Sequence, residues 1–118
     1  MSRLTGLWGE AQVASYLRKR GYQILSHGYR CRFGEIDLVA CKEDMICFVE
    51  VKTRSDTEHG LPREAVTEQK QEKLRKTALF YMSSNEIELP ARFDVAEVYT
   101  DKKHNPLATR IEYLENAF

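Results

Sequence analysis

The amino-acid sequence predicts a single domain, residues 1–118, of the α/β class, in which helices flank a mixed β-sheet. Three observations support this prediction. The chain length of 118 residues is typical of one domain. Two segments carry apolar residues at helical spacing, whereas five others are extended and rich in branched or aromatic residues. Neighbouring strands come first and a helix then leads to further strands, an order that favours a mixed sheet.

Two helices are predicted. In the first, Val13, Ala14 and Leu17 form an apolar stripe, basic residues occupy the last turn, and Gly21 is the expected stop. The second has one apolar face, made of Leu74, Ala78, Tyr81 and Met82. With the strands, the expected order is α-β-β-β-α-β-β, over residues 8–20, 22–32, 34–41, 45–53, 63–83, 92–100 and 108–113.

Charge and cysteine content restrict the functional classes. The chain has 18 Lys and Arg against 18 Asp and Glu, so its overall charge does not drive binding to nucleic acid or to a membrane. Its three cysteines show no CxxC spacing, which favours free thiols in a reducing compartment. Without an apolar targeting segment or a segment of membrane-spanning length, we expect a cytoplasmic protein with no membrane partner.

The second and third strands carry an unusual set of charged residues. If their hairpin turn is the two-residue Glu43-Asp44 or the four-residue Lys42 to Met45, the register places Asp37 opposite Glu50 and Glu35 opposite Lys52. Strict alternation would also put Glu35, Asp37 and Val39 on one face. Opposed Cβ atoms lie about 4.5–5.5 Å apart. Two carboxylates at that distance need a shared proton, a neighbouring lysine or a divalent cation.

Glu10 in the first helix supplies a third acid, because it flanks the buried stripe and could face the same side of the sheet. Three acids and one lysine at one sheet end suit a site where Mg²⁺ or Mn²⁺ activates water for phosphodiester hydrolysis. Each acid also has an ordinary interpretation, as an exposed strand residue, a surface ion pair or a first-turn helix acid. Their coincidence across one predicted hairpin favours the site.

The motifs GEIDLVA, at residues 34–40, and FVEVKTR, at residues 48–54, carry a resemblance to known proteins. The chain resembles the YraN-like uncharacterised bacterial family and, more broadly, the Holliday-junction-resolvase-like branch of the PD-(D/E)xK nuclease superfamily, which has the restriction-endonuclease-like fold. Further matching segments are spread along the chain: Gly9-Glu10, Ala14, Tyr16-Leu17, Gly21-Tyr22, Gly60, Pro62, Ala65-Val66, Lys70, Arg92-Phe93-Asp94-Val95 and Asn116-Ala117-Phe118.

The resemblance implies specific roles for the charged residues. Asp37 and Glu50 would bind Mg²⁺ or Mn²⁺ together with the backbone carbonyl of Val51. Lys52 would act on the water or the phosphate, and Glu10 would complete the acidic cluster. The implied activity is that of a metal-dependent DNA endonuclease, with branched or damaged DNA among the candidate substrates.

Basic residues are the candidates for contact with DNA. Lys70 lies near the buried face of the second helix and could reach the acidic site, and the other candidates are Arg30, Arg32, Arg54 and Lys73. A homodimer would double this footprint. The alternatives on the same fold are a nucleic-acid-binding module without catalysis and a protein-interaction module. Asp94, beside Arg92, is expected to form a structural ion pair instead of a site.

Overall fold

The computed structural model describes residues 3–55, 66–100 and 110–118. Within these ranges the chain forms the predicted mixed α/β fold, and the order α-β-β-β-α-β-β is confirmed. Residues 63–65 of the second predicted helix and 108–109 of the last predicted strand lie outside the described ranges, as do Gly60 and Pro62. The elements are α1 (Arg3–Arg18), β1 (Gln23–Cys31), β2 (Gly34–Lys42), β3 (Met45–Ser55), α2 (Glu68–Ser84), β4 (Ala91–Thr100) and β5 (Arg110–Leu114).

Both helix starts differ from the predicted ones. Helix α1 begins at Arg3, five residues before the predicted start. Gly6 and Gly9 have low helix propensity, so the sequence pattern did not indicate these first turns. Helix α2 begins at Glu68, since Thr67 is its N-cap and accepts a hydrogen bond from the Lys70 backbone N–H at 3.2 Å. No helix among the described residues is both long and apolar enough to cross a membrane.

The five strands lie in the order β1-β2-β3-β4-β5, and only β3 and β4 run parallel. Helix α2 makes the crossover between these two parallel strands. In the β2–β3 hairpin, Val39 lies opposite Phe48 and Lys42 opposite Met45. The turn is therefore the two-residue Glu43-Asp44, and the predicted register is confirmed as far as Leu38 opposite Val49. The predicted pairs Asp37–Glu50 and Glu35–Lys52 lie beyond the paired residues.

The sheet is buried on both faces. Helix α1 covers one face through Val13, Ala14 and Leu17, which pack on Leu38, Ala40, Cys47, Val49, Ala96 and Val98. Helix α2 covers the other face through Leu74, Ala78 and Tyr81, which pack on Ile36, Val39, Ile46, Phe48 and Val95. The apolar face predicted for α2 is thus confirmed, with Met82 at its margin. Cys31, Cys41 and Cys47 are free thiols.

Strand β2 does not alternate strictly. Ile36 and Val39 both belong to the cluster under α2, whereas Leu38 belongs to the cluster under α1. The prediction that Glu35, Asp37 and Val39 share one face by alternation is therefore wrong. The break lies at Asp37, between the pairs Tyr29–Ile36 and His27–Leu38, next to Gly28 of β1, whose φ of +60° is a conformation that other residues rarely adopt. Such a local irregularity re-aims the side chains around it.

Asp94 forms the structural ion pair predicted for it. Its side chain is fully buried and accepts hydrogen bonds from the Arg92 guanidinium at 2.9–3.2 Å. The Tyr113 hydroxyl and the Asn116 backbone N–H, at 2.8 Å, also donate to Asp94. The Tyr22 hydroxyl completes the network by accepting from Arg92 at 2.8 Å. The carboxylate thereby ties β5 and the last residues to β4.

Replacing Asp94 by Asn should lower the free energy of unfolding by about 3 kcal/mol or more, because Arg92 then loses its buried counter-charge. The measurement is urea denaturation followed by circular dichroism. Glu112→Gln is the control, since its ion pair with Arg110 at 3.7 Å is exposed on both sides and such pairs contribute little. Equal stability of the two variants would contradict a structural role for Asp94.

Candidate functional site

The candidate site begins where β2 and β3 stop pairing. The paired residues end at Leu38 opposite Val49, and the same register continued would bring Val51 opposite Ile36. Instead, the Val51 backbone N–H donates to Asp37 Oδ2 at 2.8 Å. A side-chain carboxylate thus replaces a backbone carbonyl as the hydrogen-bond acceptor of β3. This contact fixes Asp37 in the gap between the two strands.

Glu50 lies one residue before Val51, on the face covered by α2. Its side chain is only 8% exposed, and its Oε1 accepts a hydrogen bond from Lys70 Nζ at 2.7 Å. Lys52 Nζ lies 3.6 Å from the same oxygen. Two lysines from separate elements therefore converge on one buried carboxylate, and the expectation that Lys70 reaches the acidic site is confirmed.

The two lysines differ in their protonation equilibria. Burial, together with the neighbouring Lys70 ammonium, lowers the pKa of Lys52. Burial acts the same way on Lys70, but the hydrogen bond to Glu50 and the nearby negative charge outweigh it and raise the pKa of Lys70. Lys70 is thus the firmly protonated member of the pair, and Lys52 is the one that loses a proton more readily.

Asp37 is the most perturbed acid of the site. Burial, and then the charges of Glu50 and Glu10, raise its pKa from 3.8 to about 7. The Val51 N–H and the Lys70 ammonium act in the opposite direction without cancelling the shift. The charged form of Asp37 is therefore poorly compensated by its surroundings, first because it is buried and second because other acids lie nearby.

Glu10 approaches the site from α1, which covers the face of the sheet opposite to α2, so the expectation that it lies on the same face as Glu50 is wrong. A Cβ atom built on Gly9 would overlap the Thr53 hydroxyl, so only glycine allows α1 to lie this close to β3. Glu10, the next residue, is half-buried, and burial followed by the charges of Glu35 and Glu50 raises its pKa. Glu10 and Asp37 line a cleft of about 400 Å³, which also contains Gly6, Leu7, His27, Gly28, Arg30 and Glu35.

The structure thus brings Asp37, Glu50, Lys52 and Glu10 into one electrostatically coupled group. In the part of the chain that the structure describes, no three His, Cys, Asp or Glu side chains are arranged as a metal-binding group. The four assigned roles, with the Val51 carbonyl as a ligand, therefore stay predictions. Glu35 is not the partner of Lys52, because it is paired with Arg30 across β1 and β2 at 2.9 Å.

The remaining basic candidates for contact with DNA differ in their exposure and in the groups that they contact. Arg54 forms an ion pair with the buried Glu97 at 2.7 Å. Arg32 lies over the Phe33 ring at 4.8 Å, and Lys73 is exposed on α2. Glu97, which was not predicted as a site residue, is 1% exposed and lies beside Lys52 in the parallel β3–β4 register. An acid between Ala96 and Val98, within an otherwise apolar part of the strand, was the available signal.

The fold and the site define a mixed α/β protein whose carboxylates and lysines converge where two strands separate. The model of the family described as "Uncharacterised protein family UPF0102" matches residues 9–98, and the chain belongs to this family. A UPF0102 protein of Acetivibrio thermocellus is 44% identical over 98% of this chain and 92% of its own length. One of Syntrophomonas wolfei is 44% identical over the whole of both chains. The matched region contains Glu10, Asp37, Glu50, Lys52 and Lys70.

Replacing Asp37 by Asn should stabilise the protein in metal-free buffer at pH 8 by roughly 2 kcal/mol, less than the full shift implies because Asp37 is partly exposed. The folded pKa of about 7 lies above the ordinary 3.8, so ionising Asp37 costs stability as the pH rises between these values. The gain should therefore vanish near pH 4. The charged groups that act on Asp37, besides its burial, are Glu50, Glu10 and Lys70.

The measurement is thermal and urea unfolding at pH 4, 6 and 8 in the presence of EDTA. Glu35→Gln is the matched control, because this acid lies two residues away on the same strand, is exposed and is paired with Arg30. A gain that is independent of pH, or one that Glu35→Gln reproduces, would contradict burial and neighbouring negative charge as the origin of the shifted Asp37 pKa.

Proposed function

We propose that the protein is a metal-dependent DNA endonuclease of the PD-(D/E)xK type with a restriction-endonuclease-like fold. The observation that supports this most strongly is the position of Asp37. Its carboxylate lies in the gap between β2 and β3, hydrogen-bonded to Val51, and its charge is coupled to that of Glu50. The proposed type of nuclease needs an acid on one strand, and an acid followed two residues later by a lysine on the next. Asp37 on β2, with Glu50 and Lys52 on β3, provides these groups.

The donor set suits Mg²⁺ or Mn²⁺. Hard cations of this kind prefer one or two carboxylates, with water and phosphate oxygens completing the coordination. Asp37 and Glu50 would provide the carboxylates. Backbone N–H and C=O of one strand residue point to the same neighbouring strand. The Val51 carbonyl therefore faces the gap that its N–H shares with Asp37, and Glu10 would add charge from the α1 side.

The bound cation would act as a Lewis acid toward water and the scissile phosphate. The residues of the chain have complementary tasks. Lys52 has a lowered pKa, so its Nζ is suited to take the proton from the attacking water. Lys70 stays protonated and is suited to contact a phosphate oxygen. The pKa of Asp37 is raised by burial and then by neighbouring negative charge, and a cation would stabilise the charged carboxylate against both.

DNA is the proposed partner, and its contacts would come from residues around this site. Arg32 and Lys73 have exposed charges available to phosphates, whereas Arg30 and Arg54 would exchange Glu35 and Glu97 for them. Each neutralised phosphate adds about 0.9 to the slope of log affinity against log salt. With zero net charge, we expect modest, salt-sensitive binding that depends on DNA structure. A homodimer would present two sites to the two strands of branched DNA.

The test is cleavage of linear, nicked, flap and four-way DNA with Mg²⁺ or Mn²⁺. Lys52→Ala should abolish cleavage and leave Mn²⁺ binding nearly intact, because an ammonium group is not a metal ligand. Glu50→Ala should lose both properties. Binding is measured by titration calorimetry, and Lys19→Ala, an exposed lysine that follows α1, is the control.

Each outcome separates the candidate functions. Cleavage by Lys52→Ala at the wild-type rate would show that the lysine has no part in the reaction. A protein that binds four-way DNA with Ca²⁺ but cuts none of the substrates with Mg²⁺ or Mn²⁺ would instead be the nucleic-acid-binding module. Failure to bind any DNA at low salt would favour the protein-interaction module.

A further inference from the structure

Glu50 has a counter-ion that comes from outside the two strands of the site. Lys70 Nζ donates to Glu50 Oε1 at 2.7 Å, while Lys52, two residues along the same strand, is 3.6 Å away. A hydrogen bond between two charged groups is shorter and stronger than one between neutral groups. Lys70 is therefore the main counter-ion of this buried carboxylate in the metal-free protein.

We propose that Lys70 competes with the metal ion for Glu50, so that metal binding displaces the Lys70 ammonium from the carboxylate. This inference rests on the proposed function, because it takes Glu50 as a metal ligand. It adds an intramolecular competitor, which lowers the apparent metal affinity and so raises the metal concentration at which the site is half occupied. Lys70 is thus a positioning residue for the metal, acting through Glu50.

The exposures of the two side chains show which one moves. Glu50 is 8% exposed and cannot leave its environment without opening the sheet face under α2, whereas Lys70 is 39% exposed. The Lys70 backbone is held in the first turn of α2 by the Thr67 cap, and Val66 just before it is buried. The flexible stem of the lysine can therefore swing its ammonium toward solvent while the helix stays in place.

Displacement has a cost that appears in the metal affinity. A cation must break the Lys70–Glu50 hydrogen bond before Glu50 can act as a ligand, so the apparent affinity falls by the equilibrium constant of that contact. Removing the ammonium should therefore tighten metal binding. Removing it also leaves Glu50 as a buried charge with only the more distant Lys52, which should destabilise the metal-free protein.

The experiment is titration calorimetry with Mn²⁺ alone, without DNA, on the full chain and its variants. Lys70→Met should bind Mn²⁺ about tenfold or more tightly than the wild type, the factor expected from losing one charged hydrogen bond. Lys70→Arg keeps the charge and should stay near the wild type. Lys76→Met removes the same charge from an exposed position of the same helix and should also change little.

Thermal unfolding in EDTA gives a second readout that needs no metal. Lys70→Met should have a lower melting temperature than the wild type, and Glu50→Gln in the same chain should restore part of the loss. Lys70→Gln, which keeps a donor to Glu50 without the charge, replaces Lys70→Met if the latter does not fold. It should shift affinity and stability in the same directions.

Failure of this inference is distinguishable from failure of the proposed function. Wild-type binding of Mn²⁺ with an affinity that Lys70→Met leaves unchanged or weakens would overturn the competition and leave the metal site standing. An equal gain in Lys76→Met would also overturn it, since the effect would then be one of overall charge. Absence of Mn²⁺ binding in the wild type and in Lys70→Met would overturn both proposals.

Discussion

The hydrogen bond from the Val51 N–H to Asp37 Oδ2 is the contact on which the organisation of the site depends. Where β2 and β3 separate, the backbone of β3 needs an acceptor, because an unpaired N–H away from water costs stability. Asp37 supplies it, and the same contact holds a carboxylate beside Glu50. One side chain therefore supplies the hydrogen-bond acceptor that β3 needs and also places a second negative charge beside Glu50.

Asp94 and Asp37 show how differently the fold treats negative charge. Asp94 is surrounded by four donors, so it serves as a fixed anchor for β5 and the residues after it. Asp37 has one backbone donor, lies near two other acids, and has a strongly raised pKa. Such contrast within one small sheet separates a structural acid from one whose environment is suited to a ligand.

Much of this organisation could be predicted from the sequence, and the parts that could not have physical reasons. The Glu43-Asp44 turn determines the register, so the proximity of Asp37 and Glu50 follows from chain connectivity alone. The break in alternation at Asp37 could not be predicted in this way. The break coincides with a positive φ at Gly28. A glycine in a sequence does not indicate a positive φ, because glycine adopts negative φ about as readily. The partner of Glu35 was missed for a different reason, because β1 had no predicted register and Arg30 could not be placed opposite Glu35.

Gly9 has no functional group, yet its missing side chain is what allows Glu10 to approach the site. Any Cβ there would overlap Thr53, so α1 would have to retreat from β3 and carry Glu10 with it. A Cβ at Gly6, three residues earlier on the same helix, would meet open space. In a saturation-mutagenesis map, position 9 would thus look like an active-site residue and position 6 like a tolerant one. Intolerance to substitution would reflect the close approach of α1 to β3 at Gly9, whereas at Asp37 it would reflect the carboxylate group itself.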